Sequence, residues 1–198
     1  MIEKLLNLDT DVFYLINQCH DKSVSHFLMA LSANWSWAML LVGIFVVVTL
    51  RLDRKNWLVI LVGIGLCFLL ADRIAELAFK DVFMRVRPCN ALSNVHLLGH
   101  HPHSFSFVSG HAANSFALAT FLAHRYIKIP HFAVGMFVWA ALVGYSRVYM
   151  GVHYPGDVIG GALLGVGCGW LVYKLFDSPK VQTLFQHPYY FWSKSKSL

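Results

Sequence analysis

Five stretches of the chain are apolar almost without interruption, at about residues 36 to 50, 57 to 79, 110 to 124, 132 to 150 and 157 to 176. A bilayer's hydrocarbon core, about 30 Å thick, takes roughly 20 apolar residues per helix, and fewer where the ends are aromatic or helped by neighbours. The pattern therefore predicts an all-α fold, a polytopic membrane helical bundle of about five spans. The third run is short, and the second carries Asp72, Arg73 and Glu76. Ahead of these runs the period changes. After a candidate cap at Asp9 or Thr10, Val12, Leu15, Ile16 and Cys19 recur with helical spacing, and Val24, Phe27, Leu28 and Leu31 do so after Ser23. Two N-terminal amphipathic helices are expected there, lying on the outer leaflet or packed on the bundle. The alternative is one long tilted span over residues 24 to 50, broken near Asn34. The division expected is residues 1–35 as interfacial helices, 36–176 as a transmembrane core and 177–198 as a cytoplasmic tail. The first thirty residues lack the basic, apolar and small-residue order of a cleaved signal peptide.

Composition agrees with this pattern. Of 198 residues, 57% are hydrophobic and only 13% charged, with 15% aromatic and a mean hydropathy of +0.56. An ordinary soluble domain has roughly a quarter of its residues charged, and a disordered chain is poor in aromatics. The net charge of +6 gains meaning from its placement. Arg51, Arg54 and Lys55, then Arg125 and Lys128, then Lys174, Lys180, Lys194 and Lys196 fall on one side by parity, which the positive-inside rule makes cytoplasmic. The outer side receives residues 1–35, the 80–109 loop and the 151–156 turn. No nucleic-acid partner is expected. Cys19, Cys67, Cys89 and Cys168 are too scattered for a disulfide framework or a zinc knuckle. Gly161, Gly165 and Gly169, four apart, mark one face of the last run as a site of close helix approach.

The scarce polar residues concentrate in three outer segments. In KDVFMRVRP, Lys80 and Arg87 are seven residues apart. If the helix continues past residue 79, both cations share one face, two turns apart, before Pro88 stops it. Such a pair can clamp an oxyanion or snorkel to headgroups. In SFVSGHA, Ser109, Gly110 and His111 stand where a helix begins, and its free N–H groups favour a phosphate. An N-cap serine followed by a boundary histidine explains the same residues. In SRVYMGVHYPGD, Asp157 stands four residues after His153. That spacing lets the carboxylate hold Nδ1–H and leaves Nε2 free as nucleophile or base. Arg147 adds a planar fork suited to phosphate oxygens, and ionisable groups at this depth are functional by default.

Together the three segments resemble the signature of the type-2 phosphatidic acid phosphatase superfamily, which includes vanadium haloperoxidases and glucose-6-phosphatase. Its pattern is KxxxxxxRP, PSGH and SRxxxxxHxxxD, in that order. Here Lys80 to Pro88 and Ser146 to Asp157 are complete, while Val108 stands where the family usually has proline. The resemblance covers about residues 36 to 176. It implies His153 as the nucleophile forming a phosphohistidine, Asp157 as its orienting carboxylate, and His111 as the acid that protonates the leaving oxygen and then activates water. It also implies Lys80, Arg87, Arg147, Ser109 and the Gly110 N–H as holders of the phosphoryl oxygens. No metal or other cofactor is implied. Loss of the proline should loosen the loop at Val108 without removing a phosphate contact.

The expected partner is a membrane lipid phosphate or diphosphate: undecaprenyl diphosphate, phosphatidylglycerol phosphate, phosphatidic acid or a lipid A phosphate. The expected location is a bacterial inner membrane with the site facing the periplasm or exterior, and substrate arriving laterally from the leaflet. The alternatives are a phosphotransferase using the same phosphohistidine, and a non-catalytic lipid transporter or scaffold. His96, His100, His101 and His103 crowd the loop before SGH. They lack HExxH spacing and neighbouring carboxylates, so a polar lid is expected in place of a metal site. Glu76, one turn before Lys80, is expected to hold its ammonium. Asp72 and Arg73 are expected to neutralise each other, and Trp35, Trp37 and Trp57 to form an interfacial belt.

Overall fold

The computed structural model describes residues 2–47, 57–99, 101–129, 131–179 and 181. Helices follow one another without a strand among the described residues: α1 (Ile2–Asn17), α2 (Lys22–Ser32), α3 (Asn34–Val47), α4 (Trp57–Ile74), a π-helical turn (Ala75–Lys80), α5 (Asp81–Phe83), α6 (Pro88–Ala91), α7 (Gly110–Arg125), α8 (Phe132–Tyr149) and α9 (Pro155–Asp177). Most of the expected tail, with Lys180, Lys194 and Lys196, lies outside the described residues. So do the Arg51, Arg54 and Lys55 connection and His100.

Three stretches are long and apolar enough to cross a membrane: Trp57–Ala91, Phe132–Tyr149 and Pro155–Asp177. A fourth forms if Lys22–Ser32 and Ser36–Val47, bent by 58°, make one broken span. Helix α7 stands apart from these. Its 16 residues rise about 24 Å, and Ala112, Ala113, Ser115 and Ala117 to Ala123 are all buried. It is the central post of the bundle.

Small residues allow that position. A Cβ on Gly161, Gly165 or Gly169 of α9 would strike the carbonyl oxygen of Ser109, Ala113 or Ala117 along α7. Gly63 of α4 likewise makes room for the Phe121 ring. Lipid tails are as apolar as leucine, so helix association in a bilayer rests on close packing rather than on escape from water. The glycine face expected from the sequence thus fixes the α7–α9 seam.

Two expectations about helix ends are corrected. Asp9 caps nothing, because α1 runs from Ile2 through Asn17, and its carboxylate is used elsewhere. The second helix starts at Asp21, whose side chain accepts from the Ser23 and Val24 N–H groups.

Candidate functional site

All three polar segments converge at one end of the bundle, where α8 ends, α7 and α9 begin, and the chain leaves α5. The first segment reaches the site by a route that helical spacing did not anticipate. The π-helical turn bonds the Asp81 N–H to the Glu76 carbonyl. The helix then stops at Phe83, with Met84 in the left-handed region at φ 43°. Arg87 is extended, at φ −71° and ψ 152°, and Pro88 opens α6 at its first turn. Lys80 and Arg87 therefore do not share a helix face, although they lie within range of each other's charge. Pro88 starts a helix where it was expected to stop one, consistent with proline's fixed φ and missing N–H. The wider π turn also breaks the i,i+4 register, and no ion pair joins Glu76 to Lys80 among the described residues.

Arg87 is buried and anchored through all three of its nitrogens, with one Nη2 N–H left over. Its Nε donates to Ser104 O at 2.7 Å, Nη2 to Ser104 Oγ at 2.9 Å, and Nη1 to Val152 O at 3.0 Å. Nη1 also stands 3.0 Å from His153 Nε2. A guanidinium can only donate, so Nε2 is the acceptor and the ring proton sits on Nδ1. Nδ1 faces Ser106 Oγ at 3.4 Å and Asp157 Oδ2 at 3.5 Å. Burial, partly offset by Asp157, pushes the His153 imidazole down to about 4. The ring is neutral at neutral pH, with its Nε2 lone pair intact.

Asp157 has no exposed surface and is surrounded by donors. Oδ2 accepts from Ser106 Oγ and, at 2.8 Å, from the Tyr154 N–H. Oδ1 accepts from Arg85 Nη1 at 2.8 Å. Arg85 also donates to Asp9 Oδ2 at 2.7 Å and lies over the Tyr154 ring at 3.9 Å. Asp9 Oδ1 accepts the Gly156 N–H at 2.7 Å. The N-terminal helix is thereby tied to the turn that carries His153 and Asp157.

Ser109 is buried and caps α7, its Oγ accepting from Ala112 N at 3.5 Å. Its own N–H donates to the Asp157 carbonyl at 3.0 Å, while its hydroxyl proton remains available. An added Cβ on Gly110 would meet only Asp72 Oδ1, at 3.8 Å, so packing does not crowd the α-carbon that opens α7. His111 lies within charge range of Arg147, His153 and Arg87, and its ring is directed at the Ser32 backbone carbonyl. The Nε of Arg147 is buried without a partner, and its Nη1 touches only Met150 Sδ, at 3.9 Å. Lys80, Arg87 and Arg147 thus gather around two imidazoles with one buried carboxylate behind them. The arrangement suits a phosphoryl group, whose oxygens would complete the unpaired donors.

Sequence reasoning placed the eight candidate residues at this end but missed Arg85, Asp9, Ser104 and Ser106. The signal for Arg85 was its position as a third cation inside KDVFMRVRP, at a depth where a cation needs a counter-ion. The Trp37 ring meets His111 edge-on at 6.1 Å and Trp139 at 5.1 Å. Two further expectations change. Asp72 accepts from Asn114 Nδ2 at 2.8 Å, with no ion pair to Arg73 among the described residues. Val108 is buried and fills space against Gly160, so its loop is packed, not loosened. His96 stacks on His20 with centroids 3.5 Å apart. Among the described residues, no group of three or more His, Cys, Asp or Glu side chains has the geometry to hold a metal ion.

An all-helical membrane bundle carrying paired histidines, a buried aspartate and converging arginines defines a phosphoryl-transfer protein of the bilayer. Residues 56–179 match the family model of the PAP2 superfamily, and the chain belongs to that family of lipid phosphatases. It is 32% identical over 178 residues to a lipid A 4'-phosphatase of Bacteroides thetaiotaomicron, covering 87% of this chain and 79% of that one. The crystal structure of Aquifex aeolicus LpxE matches at a TM-score of 0.66 and 30% identity, covering 84% of this chain and 95% of that one. A transmembrane PAP2 type phosphatidylglycerolphosphate phosphatase from Bacillus subtilis matches at a TM-score of 0.67 and 27% identity, covering 88% of this chain and 86% of that one.

Proposed function

We propose that this protein hydrolyses a lipid phosphate at the outer face of a bacterial inner membrane through a phosphohistidine on His153, without a metal ion. The observation that carries the reading is the state of that ring: neutral, with Nε2 accepting from Arg87 and Nδ1 facing Asp157 and Ser106. Nε2 attacks phosphorus, forming the N–P bond as the P–O ester bond breaks. The departing oxygen takes a proton from His111. His111 then removes a proton from water, which attacks phosphorus, breaks the N–P bond and frees phosphate. Asp157 balances the charge His153 carries in between. Lys80, Arg87, Arg147, the Ser109 hydroxyl and the Gly110 N–H hold the equatorial oxygens, the work a metal does in many phosphoryl-transfer sites.

The outer location is supported by Arg125, Lys128 and Lys174, which stand at or near the opposite ends of α7 and α9 from the site. In this reading α7 and the bent α2–α3 pair join the three long stretches as a five-span unit, with α1 packed at the outer end. The substrate set is that of lipid phosphates: undecaprenyl diphosphate, phosphatidylglycerol phosphate, phosphatidic acid or a lipid A phosphate. The test is phosphate release from such a panel by purified protein in detergent, with and without EDTA, beside His153→Ala. Release that survives EDTA and vanishes in the variant supports the reading. Full turnover by His153→Ala, or loss on chelation restored by zinc, contradicts it.

A further inference from the structure

Asp9, Phe13 and Asn17 stand four residues apart on α1 and so share one face of it. Phe13 is wholly buried against Val148 and Tyr154. Asn17, also wholly buried, donates to the carbonyls of Tyr149 and His96, each at 2.9 Å. Asp9 is the charged member of this face, and both its oxygens are used. Oδ2 accepts from Arg85 Nη2 at 2.7 Å, and Oδ1 from the Gly156 N–H at 2.7 Å. Position 156 is bare where that carboxylate sits, since an added Cβ would stand 2.9 Å from Asp9 Oδ2 and 3.2 Å from Oδ1.

This seat bears on the charge felt by His153. Arg85 Nη1 bonds Asp157 Oδ1 at 2.8 Å, which leaves Oδ2 as the oxygen turned to His153 Nδ1, 3.5 Å away. A guanidinium on Oδ1 would by itself cancel the charge that Asp157 offers the imidazole. With Asp9 on the other Nη, the three side chains Asp9, Arg85 and Asp157 sum to one negative charge. They are 13%, 21% and 0% exposed, so water and salt screen them weakly. That charge counts when phosphorus bonds to Nε2, because the ring then keeps its Nδ1 proton and turns positive. Arg87 and Arg147 are already within charge range of it.

We propose that Asp9 is a positioning residue of the reaction: by holding the far side of Arg85, it keeps a net negative charge behind His153 and so stabilises the ring as phosphorus bonds to Nε2. This rests on the phosphohistidine reading above. Helix α1 then contributes charge to the site as well as support.

The test follows the product lipid in single turnovers of the full chain in detergent, on the four lipids of the panel above. Product lipid appears as the P–O bond breaks, so the maximal rate reports attack by His153, and the half-saturating concentration reports binding. Asp9→Asn keeps the shape and removes the charge. Its maximal rate should fall about tenfold, the order expected of one weakly screened unit charge. Half-saturation should stay level or tighten, because an anionic phosphate gains nothing from a carboxylate. Asp9→Glu, which restores the charge, should lie nearer to wild type in rate. Melting temperatures on the same samples separate loss of folded protein from loss of rate. A maximal rate for Asp9→Asn equal to wild type, a loss confined to half-saturation, or an Asp9→Glu as slow as Asp9→Asn would each overturn the proposal. Product lipid formed by His153→Ala contradicts the phosphohistidine reading instead.

Discussion

Arg87 Nη1 lies 3.0 Å from His153 Nε2, and this contact joins the first polar segment of the chain to the last. It keeps the nucleophilic nitrogen unprotonated and places a cation where the attacked phosphoryl group must arrive. Arg87 is itself anchored through three further bonds to Ser104 and Val152.

Arg87→Lys keeps the charge but cannot reproduce a fork that bonds Ser104 twice while reaching Val152 and His153. We expect kcat/KM to fall about a hundredfold or more, with helix content by circular dichroism unchanged. Activity within threefold of wild type, about 0.7 kcal/mol, would show that charge alone suffices.

Arg85 bridges Asp9 and Asp157, and the Asp157 side chain is wholly buried while that of Arg85 is 21% exposed. Arg85→Met leaves a buried carboxylate short of a partner, a loss of about 3 kcal/mol or more. A lowered melting temperature in detergent is the expected readout. Asp9→Asn, which spares the Asp157 contact, should cost less. Equal melting of Arg85→Met and wild type would deny the bridge a structural role.

The pH dependence has a definite sign. Burial holds the His153 ring at about 4, below its ordinary value near 6.5. Only the neutral ring attacks phosphorus, so the acid limb of kcat/KM should fall well below pH 6.5. The same shift makes the fold lose stability as pH drops from about 6.5 towards 4, because the unfolded chain takes up the proton first. A bound phosphate dianion favours the imidazolium, so the acid limb of kcat should lie higher than that of kcat/KM. An acid limb of kcat/KM at or above 6.5 would contradict the buried, neutral ring.

Gly165 and Gly167 separate close approach from flexibility. A Cβ at Gly165 meets the Ala113 carbonyl, whereas one at Gly167 meets nothing within 4 Å. Gly165→Ala should destabilise by about 1–3 kcal/mol, while Gly167→Ala should be neutral or stabilise by about 0.5–1 kcal/mol. Thermal unfolding of the two variants in the same detergent distinguishes them.

The sequence made the spans and the three motifs legible because each obeys a short-range rule. Apolar length announces a helix in lipid, and the histidine and aspartate needed at one helix start must stand four residues apart. What stayed hidden depended on breaks and on distance. The π turn and the left-handed Met84 change the register between Lys80 and Arg87, and no residue there signals the change. Asp9 meets Gly156 across 147 positions, and an acidic residue in an amphipathic helix looks solvated until its partner is seen.

The central claim is a covalent one, and it is tested most directly by trapping it. The protein is mixed with a lipid carrying labelled phosphate, quenched within milliseconds in alkali and digested. The account predicts a label stable to base, labile to acid and mapped to His153, absent from His153→Ala and longer-lived in His111→Ala because that variant cannot activate water. Steady phosphate release by the wild type with no label on His153, or a label unchanged in His153→Ala, would contradict it.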